Sequence, residues 1–127
     1  MNYVFDTNAV IHFVCDTGDF SILSKTDNFY ISFISYIELS VGYKTKQEKE
    51  ATNIFIKKAD QVLIDTNIIK LTIDIRKKFG LKLPDSVIVA TAISKNSTLI
   101  TSDKEIIKKS LQMDVKILDP LSTEIDQ

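Results

Sequence analysis

The sequence predicts an α/β protein, a three-layer α/β/α sandwich around a mainly parallel sheet of about five strands. Two observations carry this prediction. Short apolar runs alternate along the chain with segments of helical periodicity, a pattern that covers both faces of a parallel sheet with helices. The runs are also nearly continuous in apolar residues instead of alternating with polar ones, as strands buried on both faces are.

Tyr3-Val4-Phe5 forms the first strand, and Asp6-Thr7-Asn8 behind it are residues that favour turns and helix N-caps, leading into a helix over Ala9 to Val14. Phe29 to Phe33 is a second strand. Ser35 then opens a helix that ends at Gly42, glycine being the natural residue just past a helix C-terminus. Lys46 to Asp60 combines a charged face with Ala51, Ile54, Phe55 and Ala59 at helical spacing, and Gln61-Val62-Leu63-Ile64 returns to a strand pattern. A helix from about Asn67 to Phe79 is closed by Gly80. Pro84 suits a first helical turn, where its missing N–H is no loss, and introduces a helix over Asp85 to Lys95. Thr98 to Thr101 is a strand, Asp103 to Ser110 a short helix and Val115 to Leu118 a last strand.

Of 127 residues 44% are hydrophobic, with only 3 Gly and 2 Pro and no repeat or low-complexity tract, so one domain over residues 1–127 is expected. The longest uncharged stretch, Asn28 to Ile37, is about half of the roughly 20 residues that cross a bilayer, and Met1 leads directly into a strand instead of a basic and apolar leader. A cytoplasmic protein without membrane contact is the expectation. Cys15 is the single cysteine, which excludes an intrachain disulfide and reads as a small buried or half-buried thiol. Glu124 reads as an ordinary surface acid.

Sixteen basic and 17 acidic side chains leave a net charge of −1, too little for long-range attraction to hold a polyanion. A nucleic-acid substrate would have to be held locally, by a metal ion or by the lysine clusters Lys44/Lys46/Lys49, Arg76/Lys77/Lys78 and Lys104/Lys108/Lys109. The plainer reading of each cluster is a solvated helix face, or charge that complements a helix C-terminus.

In an open α/β sheet, ligands bind at the carboxyl ends of the strands, so the acids found there define the candidate chemistry. Asp6 ends the first strand, Glu38 lies one turn into the helix after the second, Asp85 opens a helix, and Asp103 lies just beyond the Thr98 to Thr101 strand. Asp6, Asp85 and Asp103 each also suit a turn or helix-capping role. Glu38 shares a helical stripe with Ile34, Ile37 and Val41, which is expected to face the interior, where a carboxylate needs a partner. Two carboxylates about 6 Å apart repel by roughly 3 kcal/mol at an effective dielectric near 20, so gathering four calls for a cation. No histidine or cysteine cluster suggests zinc, and His12, the only histidine, reads as an ordinary helix residue. A hard divalent ion, Mg²⁺ or Mn²⁺, takes oxygen ligands and bridges to phosphate, which points to phosphodiester cleavage. Thr7, Asn8 and Thr101 are placed to hold the carboxylates from behind.

Four segments, Val4-Phe5-Asp6-Thr7-Asn8, Ser35-Tyr36-Ile37-Glu38-Leu39 with Gly42 behind, Leu83-Pro84-Asp85-Ser86-Val87-Ile88-Val89-Ala90-Thr91-Ala92 and Leu99-Ile100-Thr101-Ser102-Asp103, occur in this order and spacing over nearly the whole chain. Together they resemble the PIN-domain ribonucleases, in particular the VapC-type toxins of bacterial toxin–antitoxin pairs. The resemblance implies a parallel sheet, Mg²⁺ or Mn²⁺ bound by Asp6, Glu38, Asp85 and Asp103, and endonucleolytic hydrolysis of single-stranded or loop RNA by a metal-activated water. It also implies a cognate antitoxin as partner and frequent homodimers. Two departures stand out. Leu39-Ser40-Val41-Gly42 occupies a segment where many relatives carry arginines, so no substrate contact is carried over there. Glu105 stands close to Asp103, and between them Asp103 is preferred for the last acid.

Two alternatives belong to other classes. A phosphoacceptor signalling domain would use Asp65 after the third strand, although Lys116 lies within the final strand segment and Glu38 would go unexplained. A catalytically silent fold of the same type, used for protein binding, is opposed by the presence of all four acids.

Overall fold

The structure, a computed structural model, describes residues 1–122, so Glu124 lies outside the described residues. In chain order the elements are β1 (Asn2–Phe5), α1 (Thr7–Val14), β2 (Asn28–Ser32), α2 (Phe33–Val41), α3 (Lys46–Lys58), β3 (Asp60–Val62), α4 (Thr66–Phe79), α5 (Leu83–Ser94), β4 (Thr98–Ile100), α6 (Lys104–Ser110) and β5 (Ile117–Leu118). The five strands form one sheet in the order β3-β2-β1-β4-β5, every neighbouring pair parallel.

The strands are apolar on both sides because both sides are covered. Along β1, Val4 packs with Leu99 of β4 and with helices α4, α5 and α6, through Ile68, Val89 and Ile106 among others. Its neighbours Tyr3 and Phe5 turn the other way, onto Ile31, Ile100 and helices α1 and α3. Phe5 is fully buried at the centre of an aromatic group, within 4.8 to 6.3 Å of the rings of Phe13, Phe20, Phe29 and Phe55. Helix α5 is buried along the whole run Ser86 to Ala92, which is why its sequence is apolar on nearly every side and shows no single hydrophobic stripe.

Caps explain where the helices begin. Ser32 accepts the Ile34 N–H at 3.2 Å, so α2 starts at Phe33, two residues before the expected Ser35. Thr45 caps α3 and Asp65 caps α4, while Gly80 closes α4 at φ 67°, a left-handed conformation that suits glycine.

Four expectations are corrected. The buried face of α2 is Ser35 and Leu39, leaving Ile37 and Val41 at 54% and 83% exposure and Glu38 also exposed. This helix is apolar nearly all round, so periodicity could not choose its inner face, and small Ser35 permits the close approach. On α3 the buried pair is Thr52 and Phe55, with Ile54 turned outward, and Leu63 and Ile64 lie beyond the end of β3, both exposed. Cys15 is exposed, because it caps the C-terminus of α1 instead of lying on its packed face.

The connections place a crevice in the sheet. From β1 the chain moves outward through β2 to β3, then crosses back to set β4 beside β1 before stepping out to β5. The direction of winding thus reverses between β1 and β4, and the carboxyl ends of strands at such a switch point form the ligand crevice of open α/β sheets.

Candidate active site

Asp6 follows β1 and Thr101 follows β4, so both stand at the switch point. The two strands are joined there by the Asp6 N–H donating to the Ile100 carbonyl at 3.1 Å. Asp6 caps α1, its Oδ1 accepting the Ala9 N–H at 2.7 Å, while its Oδ2 accepts the Thr101 hydroxyl. Thr101 Oγ1 in turn accepts the Asp103 N–H at 3.1 Å, and Asp103 Oδ1 caps α6 by accepting the Ile106 N–H at 3.0 Å. A single buried hydroxyl therefore connects the first acid to the loop that carries the last.

From the other side, Asp85 enters on the first turn of α5, where Pro84 starts the helix. Glu38 stands on the exposed flank of α2, its Oε1 accepting the Thr7 hydroxyl at 2.6 Å, with Ser35 Oγ 3.1 Å from the same Thr7 oxygen. Asp6, Thr7, Asn8, Glu38, Asp85 and Asp103 line one hollow of about 190 Å³, together with Ile88. Glu105 is exposed and paired with Lys109 at 2.7 Å on α6, outside this hollow. Of the clusters Arg76/Lys77/Lys78 and Lys104/Lys108/Lys109, all but Lys104 occupy the last turns of α4 and α6, where cations complement the helix dipole, while Lys104 opens α6. Asp65 sits at the edge strand β3 as the α4 cap, away from the hollow. Lys116 stands just before β5 at the opposite edge, so the pair that a phosphoacceptor site requires is split.

The electrostatics follow from crowding of like charge. Burial pushes the Asp6 carboxyl up to about 6, against the Thr101 and Ala9 hydrogen bonds that favour its charged form, and the charges of Asp103 and Asp85 add to the rise. Asp85 is also raised, first by burial and then by Asp103, with Lys82 opposing and Glu38 adding a little more. Lys82 and Ile88 are the participants that sequence reading missed. Ile88 is one helical turn beyond Asp85, a spacing that places both on one face.

An all-oxygen donor set under mutual repulsion suits a hard divalent ion. Among the described residues, no group of three or more Asp, Glu, His or Cys side chains lies close enough together to hold one ion between them. Magnesium does not need such a group, since it keeps several waters and takes only one or two carboxylates directly. A hollow of about 190 Å³ has room for an ion with retained waters, each water taking about 30 Å³ in the liquid. Each Asp6 oxygen accepts one hydrogen bond here and keeps a second lone pair free. The residues thus fit a hydrated ion held partly through water.

Thr101→Val tests the link between Asp6 and Asp103. It keeps the shape of the side chain but leaves a buried carboxylate oxygen without its donor and the Asp103 N–H without its acceptor. A loss of about 1–3 kcal/mol in urea unfolding is expected; an unchanged midpoint would mean that the hydroxyl contributes nothing to the fold.

Comparison with known proteins agrees with this fold. No curated protein matches the sequence. Among solved structures, a chain of VapBC2 from Rickettsia felis bound to promoter DNA aligns with a TM-score of 0.73 at 20% identity, covering 94% of this chain and 100% of that one. A chain of VapBC-1 from nontypeable Haemophilus influenzae aligns at 0.71 and 23%, covering 96% and 100%. A toxin–antitoxin complex from Klebsiella pneumoniae has a chain that aligns at 0.70 and 25%, covering 93% and 97%. The PIN domain family model matches residues 3–110, which span every element from β1 to α6 and include all four acids of the hollow, and the chain belongs to the PIN domain family.

Proposed function

We propose that this protein is a Mg²⁺- or Mn²⁺-dependent endoribonuclease and the toxin of a toxin–antitoxin pair. The observation that carries the nuclease reading is the hollow at the β1/β4 switch point, where buried Asp6 meets Asp85, Asp103 and Glu38 with Lys82 as the nearby cation. Asp6, Asp85 and Asp103 would hold the ion, one or two of them directly and the rest through its waters, with Glu38 positioned on the rim. When bound, such an ion supplies Lewis-acid polarisation of a phosphate and a water of lowered pKa.

The remaining work falls to the chain itself. Thr101 and the Ala9 N–H lock the Asp6 carboxylate in one orientation, and Thr7 does the same for Glu38. The concentrated negative charge repels a bare phosphodiester, so the strand enters productively only once that charge is offset. Glu38, exposed and held at one oxygen, is the group best placed to accept a proton from an attacking water.

The toxin reading is supported by structural likeness to chains of toxin–antitoxin complexes, and the proposed partner is an antitoxin that covers the hollow. Among the described residues no helix is long and apolar enough to cross a membrane. Expression of the wild-type chain alone is expected to slow bacterial growth, and expression of Asp85→Asn is not. Equal growth at equal protein levels would remove the toxin reading and leave the nuclease reading standing.

A further inference from the structure

Beside the acidic hollow lies a second one, of about 210 Å³, and the two share Thr7, Asn8 and Glu38 as a common wall. Past that wall the surface changes character. Ile11 and Leu39 line the second hollow with apolar side chains, and Gly42, Lys44 and Glu48 complete the lining. The Glu48 carboxylate is turned back onto the chain, accepting the Lys44 backbone N–H at 3.4 Å, while Thr45 accepts the Glu48 N–H at 3.0 Å to cap α3. Among the described residues the Lys44 ammonium is in neither ion pair of the structure.

The turn between α2 and α3 carries more cation than this. Lys46 and Lys49 are exposed at the start of α3, and the Lys49 ammonium lies 6.0 Å from the centre of the Tyr43 ring. Lys44 in the lining of a partly apolar hollow, with Tyr43, Lys46 and Lys49 within five residues of it along the chain, matches what holds a single strand: a cationic track for phosphates with flat or apolar surface for bases. The same lysines repel a cationic side chain from a protein partner. A chain of net charge −1 must also gather its attraction for RNA locally, and this turn does so next to the carboxylates.

We infer that the α2–α3 turn is the seat of the RNA strand adjoining the scissile position, with Lys44 binding the neighbouring phosphate and the Ile11 and Leu39 side chains taking the adjacent nucleotide. The inference rests on the nuclease reading for its substrate, and it makes Lys44 a substrate-binding residue that takes no part in the chemistry. Lysine acts here as a point charge, so arginine should replace it and glutamine should not.

The test is steady-state cleavage of a fluorogenic single-stranded RNA by the full chain with Mn²⁺, over a series of salt concentrations, alongside binding of a labelled RNA by fluorescence anisotropy. Lys44→Gln should lower kcat/KM about fourfold near 0.15 M salt, through KM with kcat kept. It should also flatten the slope of log(kcat/KM) against log[salt] by about 0.7, the value of one phosphate contact on a single strand. Lys44→Arg should restore both. Lys58→Gln, at the amino-terminal end of the sheet, should change neither. If the wild type cleaves and Lys44→Gln keeps its KM and salt slope, the strand seat is wrong while the nuclease reading survives. If the wild type binds RNA without cleaving and Lys44→Gln weakens that binding fourfold, the seat stands and the nuclease reading falls. Unchanged RNA kinetics together with loss of a partner protein would assign the hollow to protein docking and overturn the inference.

Discussion

Asp85→Asn should reduce metal-dependent RNA cleavage on the order of a thousandfold while leaving the fold intact. The estimate comes from the several kcal/mol that a bound ion contributes to transition-state charge stabilisation, at about 1.4 kcal/mol per factor of ten in rate. Asn keeps the volume of Asp and loses its charge. The position is half-buried on the first turn of α5, where the lost carboxylate forfeits only about 0.3–1 kcal/mol of favourable interaction with the helix N-terminus. The loss is partly offset, because the charge removed is one whose proton affinity is raised by burial and by Asp103. Cleavage of a labelled RNA with Mg²⁺ or Mn²⁺, measured beside circular dichroism, checks both halves of the expectation. A variant that cut at the wild-type rate with an unchanged spectrum would remove Asp85 from the site.

The second large effect is a stability signature of Asp6→Asn that depends on metal. Burial is the first cause of the rise in the Asp6 carboxyl from 3.8 to about 6. The folded, metal-free protein therefore holds this proton more tightly than the unfolded chain does, and the group's contribution to stability falls as pH rises from 3.8 to about 6. At about 1.4 kcal/mol per pH unit, the ionised side chain costs the metal-free fold about 3 kcal/mol at neutral pH. Asn has no such proton equilibrium and caps α1 as well as Asp does, but its NH₂ cannot accept the Thr101 hydroxyl, which sets about 1–3 kcal/mol against the gain. In EDTA near neutral pH, Asp6→Asn should melt above the wild type by up to about 6 °C, and the gap should shrink on acidification to below about pH 4.5. Metal should reverse the trend. An ion that binds only the folded state stabilises the wild type by about 2.7 kcal/mol at a hundredfold excess over its dissociation constant, and should stabilise Asp6→Asn far less. Calorimetry with and without Mn²⁺ reads the whole pattern; equal metal-induced shifts in the two proteins would show that the ion binds away from Asp6.

Much of the architecture was legible because its signals are local. Asp6, Asp65 and Asp103 each accept the backbone N–H three residues ahead, and that capping chemistry is written in the identity of a single residue next to an apolar run. Gly80 and Pro84 likewise mark an end and a beginning by their own backbone constraints. Element boundaries moved where a cap went unrecognised, as with Ser32, and where a strand stopped short of its apolar run, as β3 does before Leu63. The face of α2 was misread because an apolar residue sits on almost every side of it, and the choice between faces was made by contact with the sheet and α1.

By itself, then, the sequence determined the alternation of strands and helices, their parallel α/β character and the placing of three acids at strand ends and helix starts, all consequences of short-range backbone and side-chain chemistry. Only the tertiary structure decided which of these meet. The order β3-β2-β1-β4-β5 sets Asp6 beside Thr101 and Asp103 across 95 or more positions of chain, sends Asp65 to an edge and turns Glu38 outward onto Thr7. It also joins the Lys44 hollow to the carboxylates. Strand order and helix facing depend on burying apolar surface between elements far apart in the chain, and a local pattern holds no record of its distant partner.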